Sequence, residues 1–174
     1  MEPRIIYKPA FSVVGLSQPF KGWDGQVDAL WAQLEQRYHE IPIADPDIGF
    51  GVHTWTAGEN LYLAGLSLRR VPGRGGMGSL PPGMTRLNFD PHAYAVFVHN
   101  GVMAGLTETI SSIYEDWLPG SFYHSGADFF FEYFDDRFQP GSRDSVLFIF
   151  VPIRKKVSME DQSQTGAIVE KQVG

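Results

Sequence analysis

The 174-residue chain contains no cysteine. Disulfides, thiolate nucleophiles and cysteine zinc sites are excluded by that alone. Basic charge is also scarce: 14 Lys and Arg stand against 20 Asp and Glu, for a formal net charge of -6. The clustered positive charge that sequence-independent binding to a phosphate backbone requires is missing, so direct DNA binding is not expected. Long apolar runs are missing too. The strongest, Ala93–Val98 and Val146–Ile153, are far shorter than the roughly 20 residues of a membrane span, and the N-terminus has no signal-peptide core. A soluble, cytoplasmic protein without a membrane partner is expected. What the chain does have is 43% hydrophobic and 14% aromatic residues, enough for one domain with a substantial core.

Period-2 alternation and β-rich composition predict strands near Ile5–Leu16, Phe50–Trp55, Leu61–Leu68, Met84–Phe89, Ala93–His99, Phe129–Asp135 and Val146–Ile153. Helical spacing marks two other segments. Val27, Leu30, Trp31, Leu34 and Tyr38 form one stripe, and Leu106, Ile110, Ile113 and Trp117 form a similar one. Asp24 suits an N-cap for the first helix, Pro42 follows its end, and Pro119-Gly120 stops the second. The order strand, helix, strand, strand occurs twice, about 80 positions apart, which reads as a duplicated βαββ unit. The fold class expected is α+β: one antiparallel sheet, two helices on one face, and a ligand groove at the pseudo-twofold axis between them. Residues 1–156 would form a single domain with halves at about 1–70 and 84–156, and 157–174 a polar tail, disordered because it lacks hydrophobic periodicity.

The joining segment Arg69–Gly83 is rich in glycine and proline and reads as a mobile loop. No Lys-Ser/Thr follows it, so a phosphate-cradling role is not expected. The histidines His39, His53, His92, His99 and His124 form neither a His-x-His nor a His-x-x-x-His pair, so no metal or other cofactor is expected. Tyr123–Asp128 brings Ser125, His124 and Asp128 together in sequence only. Without a Gly-x-Ser-x-Gly elbow it reads as a loop rather than a triad.

Glu132 is the most informative residue. It interrupts Phe129-Phe130-Phe131 and Tyr133-Phe134, a run apolar on both faces, as in a strand buried on both sides. Burying an unpaired carboxylate costs several kcal/mol and raises its pKa, so something must compensate it. Two alternatives stand: an internal partner such as Arg137, Arg143 or a tyrosine hydroxyl, or a ligand. The chain also carries 13 Phe, 7 Tyr and 4 Trp, more than a small sheet with two helices ordinarily needs. A cation held between such rings gains about 0.5–2 kcal/mol per contact. Trp31, Tyr38, Trp55 and Trp117 are candidate walls, although aromatics on an amphipathic stripe more often serve as plain core.

The stretches Pro82-Gly83-Met84, Tyr94-Ala95-Val96-Phe97, His99-Asn100-Gly101, Ile113–Pro119, Phe131-Glu132-Tyr133-Phe134 and Phe150-Val151-Pro152-Ile153 together resemble the GyrI-like effector-binding domains. These are ligand modules attached to AraC-type and MerR-type regulators and also found alone. The resemblance runs from about residue 5 to 155, and a chain of this length is most similar to integron-cassette effector-binding proteins that take cationic, drug-like molecules. It implies a central groove for a lipophilic cation with an acidic residue at its floor, at the position of Glu132. The chain departs from the pattern at Phe134, where relatives often carry a tyrosine. The function implied is binding rather than catalysis: multidrug sensing or sequestration, with a regulatory output carried by a partner protein. With the first unit starting near residue 5, no helix-turn-helix is expected within this sequence. Two alternatives follow from other relatives. One is hydrolysis of strained cyclopropane natural products with Glu132 as general base; the other is a gyrase-inhibitor-like role in protein interaction.

Overall fold

A computed structural model describes residues 1–23, 25–41, 44–56, 58–69 and 79–156. Asp24, Pro42, most of the Arg69–Gly83 segment and the tail at 157–174 lie outside these residues. In chain order the elements are β1 (Arg4–Lys8), β2 (Phe11–Pro19), α1 (Gly25–Gln36), β3 (Ala44–Thr56), β4 (Glu59–Leu68), β5 (Thr85–Phe89) and β6 (His92–Asn100), then α2, β7 (Tyr123–Ser125), β8 (Phe129–Phe134) and β9 (Val146–Lys155). Helix α2 is α-helical over Leu106–Ser111, π-helical over Ser112–Trp117, and ends in a turn at Leu118–Gly120.

All strands belong to one antiparallel sheet in the order β1-β6-β9-β8-β3-β4-β2-β5, with β7 added beside β9. The duplication is visible in this order. Strands β2-β4-β3 of the first half mirror β6-β9-β8 of the second, and the halves join at the β3–β8 pair.

The structure corrects the expected strand Ile5–Leu16, which breaks at Pro9-Ala10 into two. Proline has no N–H for a ladder and fixes its own φ, which favours a break at this point. The two pieces then serve opposite ends of the sheet: β1 pairs with β6 of the second half, and β2 with β4 and β5. In the same way β5 leaves its own half and pairs with β2. Since only Pro9 and Ala10 separate β1 from β2, the ends of the sheet must lie close together, and the sheet curls into a half-barrel. A smaller correction is β7: the segment read as a loop after the second helix contains a short strand paired with β9.

The curl explains why the strands are apolar on both faces. On the helix side, Val27, Leu30 and Leu34 of α1 bury against Val14, Tyr62, Ala64 and Leu66. Leu106 and Ile113 of α2 bury against Ala95, Phe97, Leu147, Ile149 and Val151. On the concave side the exchanged arms close over Val13, Phe50, Val52, Leu63, Phe89, Tyr94 and Phe131. Fully burying a side chain of this size contributes about 1.5–3 kcal/mol, so the concave cluster is a second core rather than a solvated back. Among the described residues no helix is long and apolar enough to cross a membrane.

Candidate functional site

Strand alternation on β8 sends Phe129, Phe131 and Tyr133 into the concave core and Glu132 to the helix side. Glu132 is wholly buried, at 0% exposure. Its neighbour across the β3–β8 ladder is Gly51. A Cβ at that position would stand 2.5 Å from Glu132 Oε2 and collide with the Tyr62 hydroxyl, so the absent side chain is what makes room for the carboxylate.

Two groups satisfy the acid. His53 Nε2 and Glu132 Oε1 share a hydrogen bond at 3.1 Å, and the Tyr62 hydroxyl makes a longer 3.4 Å contact to Oε2. Trp31 Nε1 in turn donates to the Tyr62 oxygen at 2.9 Å. Of the internal partners anticipated, the tyrosine hydroxyl is present and Arg137 is not: its guanidinium forks onto Asp135. Burial pushes the Glu132 carboxyl above its usual range, against the opposing pull of His53 and Tyr62. Burial and the adjacent acid push the Tyr62 phenol well above its usual range, which keeps it a donor.

The His53 ring is enclosed by aromatics. Phe130 stacks on it at 4.3 Å, while Phe20, Trp23 and Tyr62 meet it edge-on at 4.7, 4.8 and 4.9 Å between centroids. A carboxylate and an imidazole thus lie side by side beneath Tyr62, with four rings around the imidazole.

Above Tyr62 a cleft of about 610 Å³ opens between α1 and the residues that follow β8. Trp31, Tyr38, Tyr62, Phe134 and Phe138 give it an aromatic surface. The ionisable side chains facing it are phenols and carboxylates. Asp28 and Glu35 come from α1, Asp47 from β3 and Asp135 from the end of β8, with no Lys, Arg or His among the described lining residues. Asp135 is held by Arg137, which leaves it below its usual range, and burial together with Glu35 raises the Tyr38 phenol.

The sequence-predicted residues divide between this cleft and the packed interior. Trp31, Tyr38 and Phe134 line the cleft, and Phe134 meets Trp31 edge-on at 5.4 Å. Glu132 is not among the lining residues but lies behind one of them, Tyr62, whose hydroxyl it accepts from. Two expected wall residues are placed elsewhere. Trp55 is on the helix face of β3 beyond His53, where it packs on Tyr114 of α2 and on Phe130. Trp117 of α2 packs between Phe97 and Tyr123, on the same core as Leu106, Ile110 and Ile113. Sequence reasoning missed Gly51, His53, Tyr62 and Asp28. A histidine within an otherwise apolar alternating strand was the available signal for His53, but its pairing with Glu132 depends on strand register, which the sequence does not display. Among the described residues no group of three or more His, Asp or Glu is placed to hold a metal ion.

Comparison with known proteins agrees with this architecture. Residues 1–154 match the family described as the GyrI-like small molecule binding domain. The transcriptional regulator BrlR of Pseudomonas aeruginosa is 31% identical over 156 residues, which cover 88% of this chain and 56% of BrlR. The chain therefore spans a little over half the length of that relative. Of the solved structures, SAV2435 bound to tetraphenylphosphonium superposes with a TM-score of 0.66 at 13% identity, covering 88% of this chain and 94% of the other. An integron cassette protein from Vibrio cholerae superposes with a TM-score of 0.52 at 12% identity, covering 88% and 96%. At such identities the two structures show a shared fold.

Proposed function

The chain belongs to the GyrI-like small molecule binding domain family, and from that premise we propose that its cleft takes lipophilic cations, with Glu132 as the charge that selects them. The observation that carries this reading is a fully buried carboxylate beneath an aromatic cleft whose charged lining is entirely acidic. A volume of about 610 Å³ suits one drug-sized molecule. The Trp31, Tyr38 and Phe134 faces would hold an aromatic cation, each ring contact contributing about 0.5–2 kcal/mol. Glu132, enclosed in low-dielectric surroundings, attracts positive charge more strongly than a solvated acid would. Tyr62 couples the two layers, since its ring faces the cleft and its hydroxyl points at Glu132. The tetraphenylphosphonium held by SAV2435 is a ligand of this class and supports the assignment. The role is that of an effector-binding module, for sensing or sequestration, and the likeness to a transcriptional regulator supports sensing.

Titrating tetraphenylphosphonium and a neutral analogue, triphenylphosphine oxide, against tryptophan fluorescence tests this. Glu132→Gln should weaken the cation by about ten- to a hundredfold, the effect of losing a close, poorly screened charge. It should leave the neutral compound nearly unchanged. Equal losses for both would show that Glu132 shapes the cleft without selecting charge.

A further inference from the structure

We propose that His53 is a tethered counter-ion for Glu132: the pair holds one exchangeable proton while the cleft is empty, and an arriving cation takes its place and releases that proton to solvent. The inference rests on the reading that a cation binds above Glu132, and it adds the chemistry that must accompany binding.

The geometry argues for it in two ways. First, His53 Nε2 and Glu132 Oε1 are 3.1 Å apart, and both side chains are almost completely removed from water, at 6% and 0% exposure. Two ionisable groups this close share their protons and titrate as a unit. The pair with one proton is neutral overall, whether the proton resides on imidazole or carboxyl. Without it, a net negative charge is left buried, which costs several kcal/mol unless something compensates it. Second, the imidazole occupies the surroundings a cationic ligand would seek. Four aromatic rings lie within 4.3–4.9 Å of its centre and shield it from water, and the face of Phe130, stacked on it at 4.3 Å, favours a positive charge there.

The balance of charge is simple. Empty, the carboxylate is neutralised by the shared proton; occupied, it is neutralised by a fixed positive charge on the ligand, and one proton leaves for each cation bound. The other groups facing the pair do not supply that proton. Tyr62, from β4, is held as a phenol. Phe20, Trp23 and Phe130 carry no charge, and Asp28 of α1 acts on Tyr62 from the cleft side. Tyr114 of α2 reaches Phe130, not the imidazole.

The test uses tetraphenylphosphonium, whose charge does not titrate. Calorimetric titrations in two buffers of different ionisation enthalpy, from about pH 5.5 to about pH 8, should show up to one proton released per cation bound. Where the pair is loaded, affinity should fall about tenfold per unit decrease in pH, as linkage to a single proton requires. His53→Gln keeps a donor but cannot hold the proton, so release should persist only at lower pH; Glu132→Gln should abolish it. For a readout that needs no variant, the ring-proton chemical shifts of His53 in the wild-type protein should change with ligand at constant pH. Binding with identical affinity across the range and no buffer-dependent heat would overturn this inference while leaving the proposed function standing. Absence of any saturable binding would overturn both.

Discussion

The protonation of the wholly buried Glu132 has a predictable sign. Burial holds Glu132 above its usual range, so the folded state binds its proton more tightly than the unfolded chain does. The stability gained is complete at pH below the ordinary carboxyl value and is lost as pH rises through the raised one, by about 1.4 kcal/mol for each pH unit that separates the two. The urea midpoint of the empty protein should therefore fall over that interval. In Glu132→Gln the fall should be absent, leaving a flatter curve measured by tryptophan fluorescence. An unchanged pH profile in the variant would place the titration on another group. At this scale the sequence was only partly legible. Glu132 was conspicuous because a charge amid five aromatics has no bland surface explanation. Gly51, His53 and Tyr62 come to it from β3 and β4 through cross-strand register, and nothing in the local composition of those strands announces it.

Helix α1 brings Asp28, Trp31 and Glu35 to the cleft at positions i, i+3 and i+7, which lie on one face. Two carboxylates flanking an indole make this element an acidic approach to the site rather than its anchor, since both are exposed and screened by solvent. Replacing Asp28 by Asn and Glu35 by Gln together should weaken tetraphenylphosphonium by roughly two- to fivefold at low salt and by less at about 0.5 M salt, where the Debye length is only a few ångströms. Salt-independent weakening, followed in the same fluorescence titration, would show that these side chains touch the ligand directly. Elements were well predicted wherever pattern alone decides them. The stripes Val27–Leu30–Leu34 and Leu106–Ile110–Ile113 marked both helices, and alternation marked the strands. The first strand divides at Pro9-Ala10 because its two pieces take different partners, β6 on one side and β4 and β5 on the other, a long-range choice that an apolar run does not display. Trp117 keeps the face that its stripe marks, with Leu106, Ile110 and Ile113; that face packs on the core of the second half, whereas the cleft lies against α1.

For the whole molecule, the exchange of β1 and β5 between halves matters most. Each half donates its first strand to the far edge of the other, and the two join through β3 and β8, so neither half retains a closed core. We predict one cooperative unfolding transition, with far-ultraviolet dichroism and tryptophan fluorescence giving the same urea midpoint. Two separated transitions would mean that the halves are independent units despite their exchanged arms. The repeated element order foretold two helices on one face of one antiparallel sheet. The curl was hidden from sequence because it depends on which end of the sheet each arm reaches, a long-range choice.

The cleft draws α1, β3 and β4 from one repeat but only Met103 and the stretch from Phe134 to Pro140 from the other, and the acid beneath it comes from β8 alone. Two identical repeats would offer any visitor a pair of equivalent poses related by half a turn. Here that degeneracy is gone from the walls: a lopsided ligand would meet different surroundings in its two orientations, so a scaffold that is itself nearly symmetric could tell heads from tails.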